Sequence, residues 1–264
     1  MIRMTLSPFF PLPLGEGGVK ERGAPVDVIT RRVRAKGSLF FLCLLLLQPV
    51  LPLSISLAEA DESSTEPILE RMAEASRALT SLEADLVQVK SYPQLSLTDP
   101  PEIGRIHLQR AKPTRLRFEI TEPESRIVTV DDGEYVLYQP KIKQALVGKL
   151  DPNAMRGRTG FLTFLVGDLS SAEQDFEIVL LGEEDVKGKQ AYHLRLTARP
   201  ETESMYRQID LWVDQEIWLP VRQELVELNN SVSRIDLENV VLNQVIEDSV
   251  FKLDLPSDVE RVKG

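Results

Sequence analysis

Cysteine is almost absent from this 264-residue chain, the single one being Cys43. No internal disulfide can staple the fold, and no cysteine cluster is available for zinc or an iron–sulfur centre. Histidine is nearly as scarce, with only His107 and His193. Both sit in stretches of two-residue apolar alternation, where an isolated histidine is far more often a surface or internally paired residue than a catalytic one. The chain also lacks a His-x-x-x-His pair, a Gly-x-Ser-x-Gly elbow and the glycine loops that cradle phosphate. The acidic pairs Asp131-Asp132 and Glu183-Glu184-Asp185 fall in turn segments without calcium-loop spacing. These absences speak against an enzyme and call for no cofactor and no metal.

Positive charge is in short supply as well. Of the 31 basic and 41 acidic side chains, 7 and 4 lie in residues 1–60, leaving 24 and 37 and a balance of about −13 for the remainder. Nucleic acid needs clustered cations, so it is excluded as a partner.

The chain divides at residue 60. Arg31, Arg32, Arg34 and Lys36 precede an apolar run over 39–47, Pro49 and Pro52 interrupt it, and Ala58-Glu59-Ala60 supplies small residues before Asp61. This is the order of a cleavable signal peptide. Residues 38–57 are also about long enough for an uncleaved spanning helix, but the prolines and the small-x-small site fit cleavage better. Cys43 follows Phe40-Phe41-Leu42 and so lacks the small residues that precede a lipidated cysteine. Residues 1–30 show no amphipathic period and stand far ahead of the basic segment, which points to a mis-set translation start. The expected domain is 61–264, exported and large enough for one core.

Within that domain Ser63-Ser64-Thr65-Glu66-Pro67 offers cap residues and an early proline, after which Ile68, Met72, Ala75, Leu79 and Leu82 recur at steps of four and three. This predicts one amphipathic helix with an apolar face that must lie on something. From residue 84 the period becomes two. Strands are expected over 84–90, 102–110, 114–121, 125–131, 134–139, 142–147, 174–181, 191–199, 206–214, 219–228 and 231–242, with Asp132-Gly133 as a hairpin turn. About eleven strands with short connections describe one large antiparallel sheet. Residues 151–171 interrupt it, where Gly157, Gly160 and Gly167 bracket Phe161-Leu162-Thr163-Phe164-Leu165-Val166 as a short apolar helix. A helical turn is expected over 247–251.

The most informative stretch runs over 112–140. Lys112-Pro113 leads into a strand with Leu116, Phe118 and Ile120 on one face and Arg115, Arg117 and Glu119 on the other; Thr121-Glu122-Pro123, the strand 127–130, Asp132-Gly133 and Tyr138-Gln139-Pro140 follow. In order and spacing this resembles the periplasmic outer-membrane lipoprotein carrier family, LolA. Weaker likeness extends to the leading helix, the glycine-flanked apolar helix and the segment 251–259.

That resemblance implies a mainly β fold with helices: an unclosed antiparallel barrel with a helical lid over an apolar cavity for lipoprotein acyl chains. It assigns Leu116, Phe118 and Ile120 to the cavity wall and Phe161, Leu162, Phe164 and Leu165 to the lid. Ile68, Leu69 and Met72 of the first helix face the same space. Lys112 stands where the family's best-known members carry an arginine that latches the lid; lysine keeps the charge but loses the planar fork. The implied partners are acylated lipoproteins, an inner-membrane ABC-type releasing complex and an outer-membrane acceptor, with the carrier a monomer in the periplasm of a Gram-negative bacterium. A lipid- or lipoprotein-sensing regulator of the same fold, or a carrier of another lipid, remains the alternative.

Overall fold

The structure is a computed structural model that describes residues 65–149, 172–202 and 204–264. The expected signal peptide and Phe161, Leu162, Phe164 and Leu165 lie outside the described residues. The leading helix, α1, spans Glu66–Ala78, with Pro67 in its first turn, where a missing N–H costs nothing. It buries Ile68, Leu69, Met72, Ala73 and Ser76; of the expected apolar positions Ile68 and Met72 are buried and Ala75 is half-buried, whereas the helix stops short of Leu79, its C-cap, and of Leu82, which belongs to the first strand.

Every expected strand is present. They are β1 (Ser81–Tyr92), β3 (Glu102–Gln109), β4 (Arg115–Glu122), β5 (Arg126–Asp131), β6 (Glu134–Gln139), β7 (Gln144–Lys149), β8 (Phe176–Val186), β9 (Lys189–Ala198), β10 (Tyr206–Asp214), β11 (Pro220–Glu227) and β12 (Val232–Leu242). Two more were not expected: the two-residue β2 (Leu97–Thr98) and β13 (Glu260–Lys263). Neither is long enough to show an alternation, which is why the sequence hides them. Two short α-helices, α2 (Ala172–Asp175) and α3 (Asp248–Phe251), the latter where a helical turn is expected, and two single 3-10 turns, Pro93–Leu95 and Pro140–Ile142, complete the described elements.

All strands join one sheet in the order β13-β7-β6-β5-β4-β3-β1-β12-β11-β10-β9-β8, with β2 beside β1. Pairing is antiparallel throughout except between β13 and β7. The β1–β12 ladder, from Leu82↔Leu242 to Ser91↔Val232, welds the two halves of the chain together. Among the described residues β8 and β13 remain unpaired to each other, so the sheet does not close. Asp132 and Gly133 both have positive φ (49° and 75°), as the tight β5–β6 hairpin requires, and Lys187-Gly188 repeats the device between β8 and β9.

One face of the sheet is apolar along nearly its whole width. Leu82, Ala84 and Leu86 of β1, Ile106 and Leu108 of β3, Leu194 and Leu196 of β9, and Ile209 and Leu211 of β10 all belong to one buried cluster. Members from β4–β6 and from β8–β10 belong to the same cluster, as expected of a wide antiparallel sheet that curls around its apolar face. The opposite face carries charge pairs such as Arg105–Asp85 and Arg222–Asp236. Part of it is covered by the C-terminal segment: Phe251 is buried, with the Arg115 guanidinium 4.5 Å above its ring and bonded to Asp131 at 2.9 Å.

The register slips between Ile103 and Gly104, and there β3 comes closest to β4. A Cβ on Gly104 would lie 2.1 Å from the backbone oxygen of Glu119. Gly104→Ala is therefore expected to lower stability by about 1–3 kcal/mol, read as a drop in the urea midpoint with little change in slope.

Candidate functional site

The curled sheet leaves its apolar face to be covered, and α1 lies on it. Ile68, Leu69 and Met72 join Leu116, Phe118 and Ile120 in the same buried cluster, each no more than 9 % exposed. Residues that the chain separates by more than 40 positions are thus brought to one surface. Their cross-strand neighbours extend it, since Leu116 pairs with Val130 and Phe118 with Ile106 and Val128. Met72, at 2 % exposure, is flexible enough to fill an irregular gap between helix and sheet.

Lys112 sits apart from this contact. It is exposed in the β3–β4 connection, next to the cis Lys112–Pro113 bond. The described tie between that connection and the helix comes from Arg110, two residues earlier. Its guanidinium donates to the backbone oxygen of Ser76 in the last turn of α1, and a longer contact of 3.4 Å reaches the Ser76 hydroxyl. A cation on the last carbonyls of a helix is favoured both by the unpaired acceptors and by the dipole. The sequence signal for it was present, a second basic side chain just ahead of Lys112, but only the pairing register says which of the two reaches back.

At the end of the sheet where β1 finishes and β12 begins, the inner face turns polar. Arg126 grips Glu102 with both its terminal nitrogens, one of them 2.8 Å from a carboxylate oxygen. Lys90 bonds Glu227 at 2.7 Å. By strand alternation these four side chains continue the rows of Val128, Ile106, Leu86 and Leu225. Tyr206 stands opposite Glu227 and belongs to the apolar cluster.

The two histidines lie on the other face. His107 Nδ1 is 2.7 Å from Glu83 and His193 Nδ1 is 2.7 Å from Glu184, with the His193 ring stacked 4.1 Å from Trp212. Glu184 also accepts from the Trp212 indole and then from His193, bonds that hold its carboxyl below the ordinary value. No group of three or more His, Cys, Asp or Glu among the described residues is placed to hold a metal. Nor is any described helix long and apolar enough to cross a membrane.

The unclosed antiparallel sheet with a helix on its apolar face is the open-barrel architecture that the 112–140 stretch implies. The chain is similar to curated proteins named outer-membrane lipoprotein carriers. The chain is 28 % identical over 184 residues to an outer-membrane lipoprotein carrier protein of Bordetella avium, spanning 69 % of this chain and 81 % of that one. It is 25 % identical over 160 residues to the outer-membrane lipoprotein carrier protein of Pseudomonas putida, spanning 61 % and 71 %. A family model described only as an uncharacterized protein matches residues 119–235. A crystal structure of an uncharacterized conserved protein from Thermus thermophilus superposes with a TM-score of 0.50 at 14 % identity, over 76 % of this chain and 99 % of that one, a likeness of fold.

Burial, and then the Glu227 carboxylate beside it, push the Tyr206 phenol up to about 12. A pKa raised in the folded state contributes stability that is whole below the unfolded value near 10 and is lost as pH climbs toward 12. Tyr206→Phe is expected to remove about 2–3 kcal/mol from the fall in stability between about pH 10 and 12, measured by urea midpoints across that range.

Proposed function

We propose that this protein is a periplasmic carrier whose inner sheet face binds the acyl chains of lipoproteins and moves them from the inner to the outer membrane. The observation that carries this reading is the seating of α1. Ile68, Leu69 and Met72 lie in one buried cluster with Leu116, Phe118 and Ile120, and an acyl chain offers the same apolar chemistry as these helix side chains. Curated relatives named as outer-membrane lipoprotein carriers support the same reading.

The magnitudes suit a carrier that must also release. Burying about fifteen methylenes is worth about 12 kcal/mol at about 0.8 kcal/mol each, so an acylated protein does not leave a membrane unaided. Uncovering Ile68, Leu69 and Met72 costs about 5–9 kcal/mol. Displacement of α1 thus offsets much of the gain, and loading stays reversible. Arg110 on Ser76 adds a polar tie that holds the C-terminal end of α1 while its apolar middle lifts. Loading falls to an ATP-driven complex of the inner membrane, and unloading to an acceptor at the outer membrane.

Phe118→Glu places a carboxylate on the proposed binding face and is expected to abolish uptake of a triacylated lipoprotein, whereas Phe118→Leu keeps most of it. Transfer assays with purified protein read this directly. Unchanged transfer by a folded Phe118→Glu variant refutes the assignment. Loading of the wild type should also speed amide hydrogen exchange in α1, and an α1 that stays equally protected in the loaded carrier would show that the chains bind elsewhere.

A further inference from the structure

The inner face is not apolar throughout. Gln88 and Gln223 are 2 % and 1 % exposed, and Ser231 and Ser233 are fully buried. Gln88 and Gln223 are both cross-strand partners of Ile235, so the two amides flank it in one row across β1, β12 and β11. Ser233 lies two residues back along β12, opposite Lys90 and Leu225, and Ser231 precedes it at the turn, its carbonyl accepting from Glu227 N–H. By strand alternation Gln88 follows Leu82, Ala84 and Leu86, and Gln223 shares its face with Leu225, all members of the buried apolar cluster.

These side chains are poorly satisfied. Gln88 Oε1, both amide atoms of Gln223, and the hydroxyls of Ser231 and Ser233 have no hydrogen-bond partner. Buried polar atoms are nearly always paired, because leaving them unpaired costs stability. Here five fall on β1, β11, β12 and the turn that leads into β12, at the positions where an apolar residue would extend the alternation. Direct strand neighbours are about 5 Å apart and successive same-face residues about 7 Å. The row is thus about as long as the linkage region of a lipid.

We propose that this row receives the polar linkages of an acylated peptide, ester carbonyls together with an amide N–H, while the acyl chains lie on the apolar face beside it. The inference rests on the acyl-chain reading above. Its chemistry follows from the unpartnered set. The Gln223 amide nitrogen and the two hydroxyls donate to carbonyls. The Gln88 and Gln223 oxygens need a donor, which an acylated peptide supplies and the glyceryl esters of a phospholipid do not. The Lys90–Glu227 pair borders the row on the side from which a peptide would leave the inner face.

The test compares wild type with a Gln88→Leu, Gln223→Leu double variant on three probes: a synthetic triacylated cysteinyl lipopeptide, dioleoyl phosphatidylcholine, which has ester carbonyls but no hydrogen-bond donor, and a pyrene-labelled hydrocarbon without ester or amide. The thermal midpoint should hold or rise. Affinity for the lipopeptide should fall about tenfold, the factor that one or two lost hydrogen bonds carry; affinity for the hydrocarbon should not change, and that for phosphatidylcholine should fall less. Unchanged lipopeptide affinity, or an equal fall for the hydrocarbon, overturns the proposal. An equal fall for phosphatidylcholine overturns its amide part. A wild type that binds neither lipopeptide nor hydrocarbon overturns the acyl-chain reading and this inference together, whereas failure of the variant alone to differ sinks only this one. A Ser231→Ala, Ser233→Ala variant, which changes volume little, repeats the comparison if the leucine substitutions disturb folding.

Discussion

Everything in this molecule depends on one constraint: a continuous twelve-strand ladder presents an apolar face that water will not tolerate and that the sheet cannot seal by closing on itself. Hydrogen bonding along the ladder is satisfied by neighbours, so the sheet is indifferent to what lies on its inner face. The apolar side chains are not. Among the described residues α1 lies with them in one buried cluster, and burying apolar area is the dominant favourable contribution to folding.

That constraint links stability to function. In the proposed carrier the helix is both part of the core and a competitor of the ligand, since Ile68, Leu69 and Met72 belong to the buried apolar cluster that an acyl chain would enter. The connection from Ala78 into β1 is short, so the helix cannot travel far, and Arg110 binds its last turn to the sheet. The C-terminal segment packs elsewhere. Phe251 lies under Arg115 on the outer face, and β13 pairs along β7 at one edge, where Gly264 comes close to the Tyr135 side chain of the buried cluster.

The polar end of the inner face adds direction. Charged pairs between Arg126 and Glu102 and between Lys90 and Glu227 close the apolar surface at the strand ends. On the proposed reading, an amphiphile entering this space meets a gradient from charge through unpartnered amides to hydrocarbon, which orients it.

Much of this was legible in residue order. Two-residue alternation located all eleven strands of ordinary length, and the steps of three and four in Ile68, Met72 and Ala75 located α1 and its buried face, because periodicity is a local consequence of backbone geometry. Asp132-Gly133 announced its turn for the same reason. What alternation cannot reveal is which strands become neighbours. The pairing of β12 with β1 and β11 decides that Gln88, Ile235 and Gln223 form one row, and the β1–β3 pairing, with Arg110 N–H on the Thr80 carbonyl, brings Arg110 to Ser76. Gln88 and Ile235 stand more than a hundred residues apart in the chain, and no local pattern encodes their meeting. The chain by itself determined a sheet with one apolar face and a helix to cover it; only the tertiary structure decided where the polar groups on that face would meet.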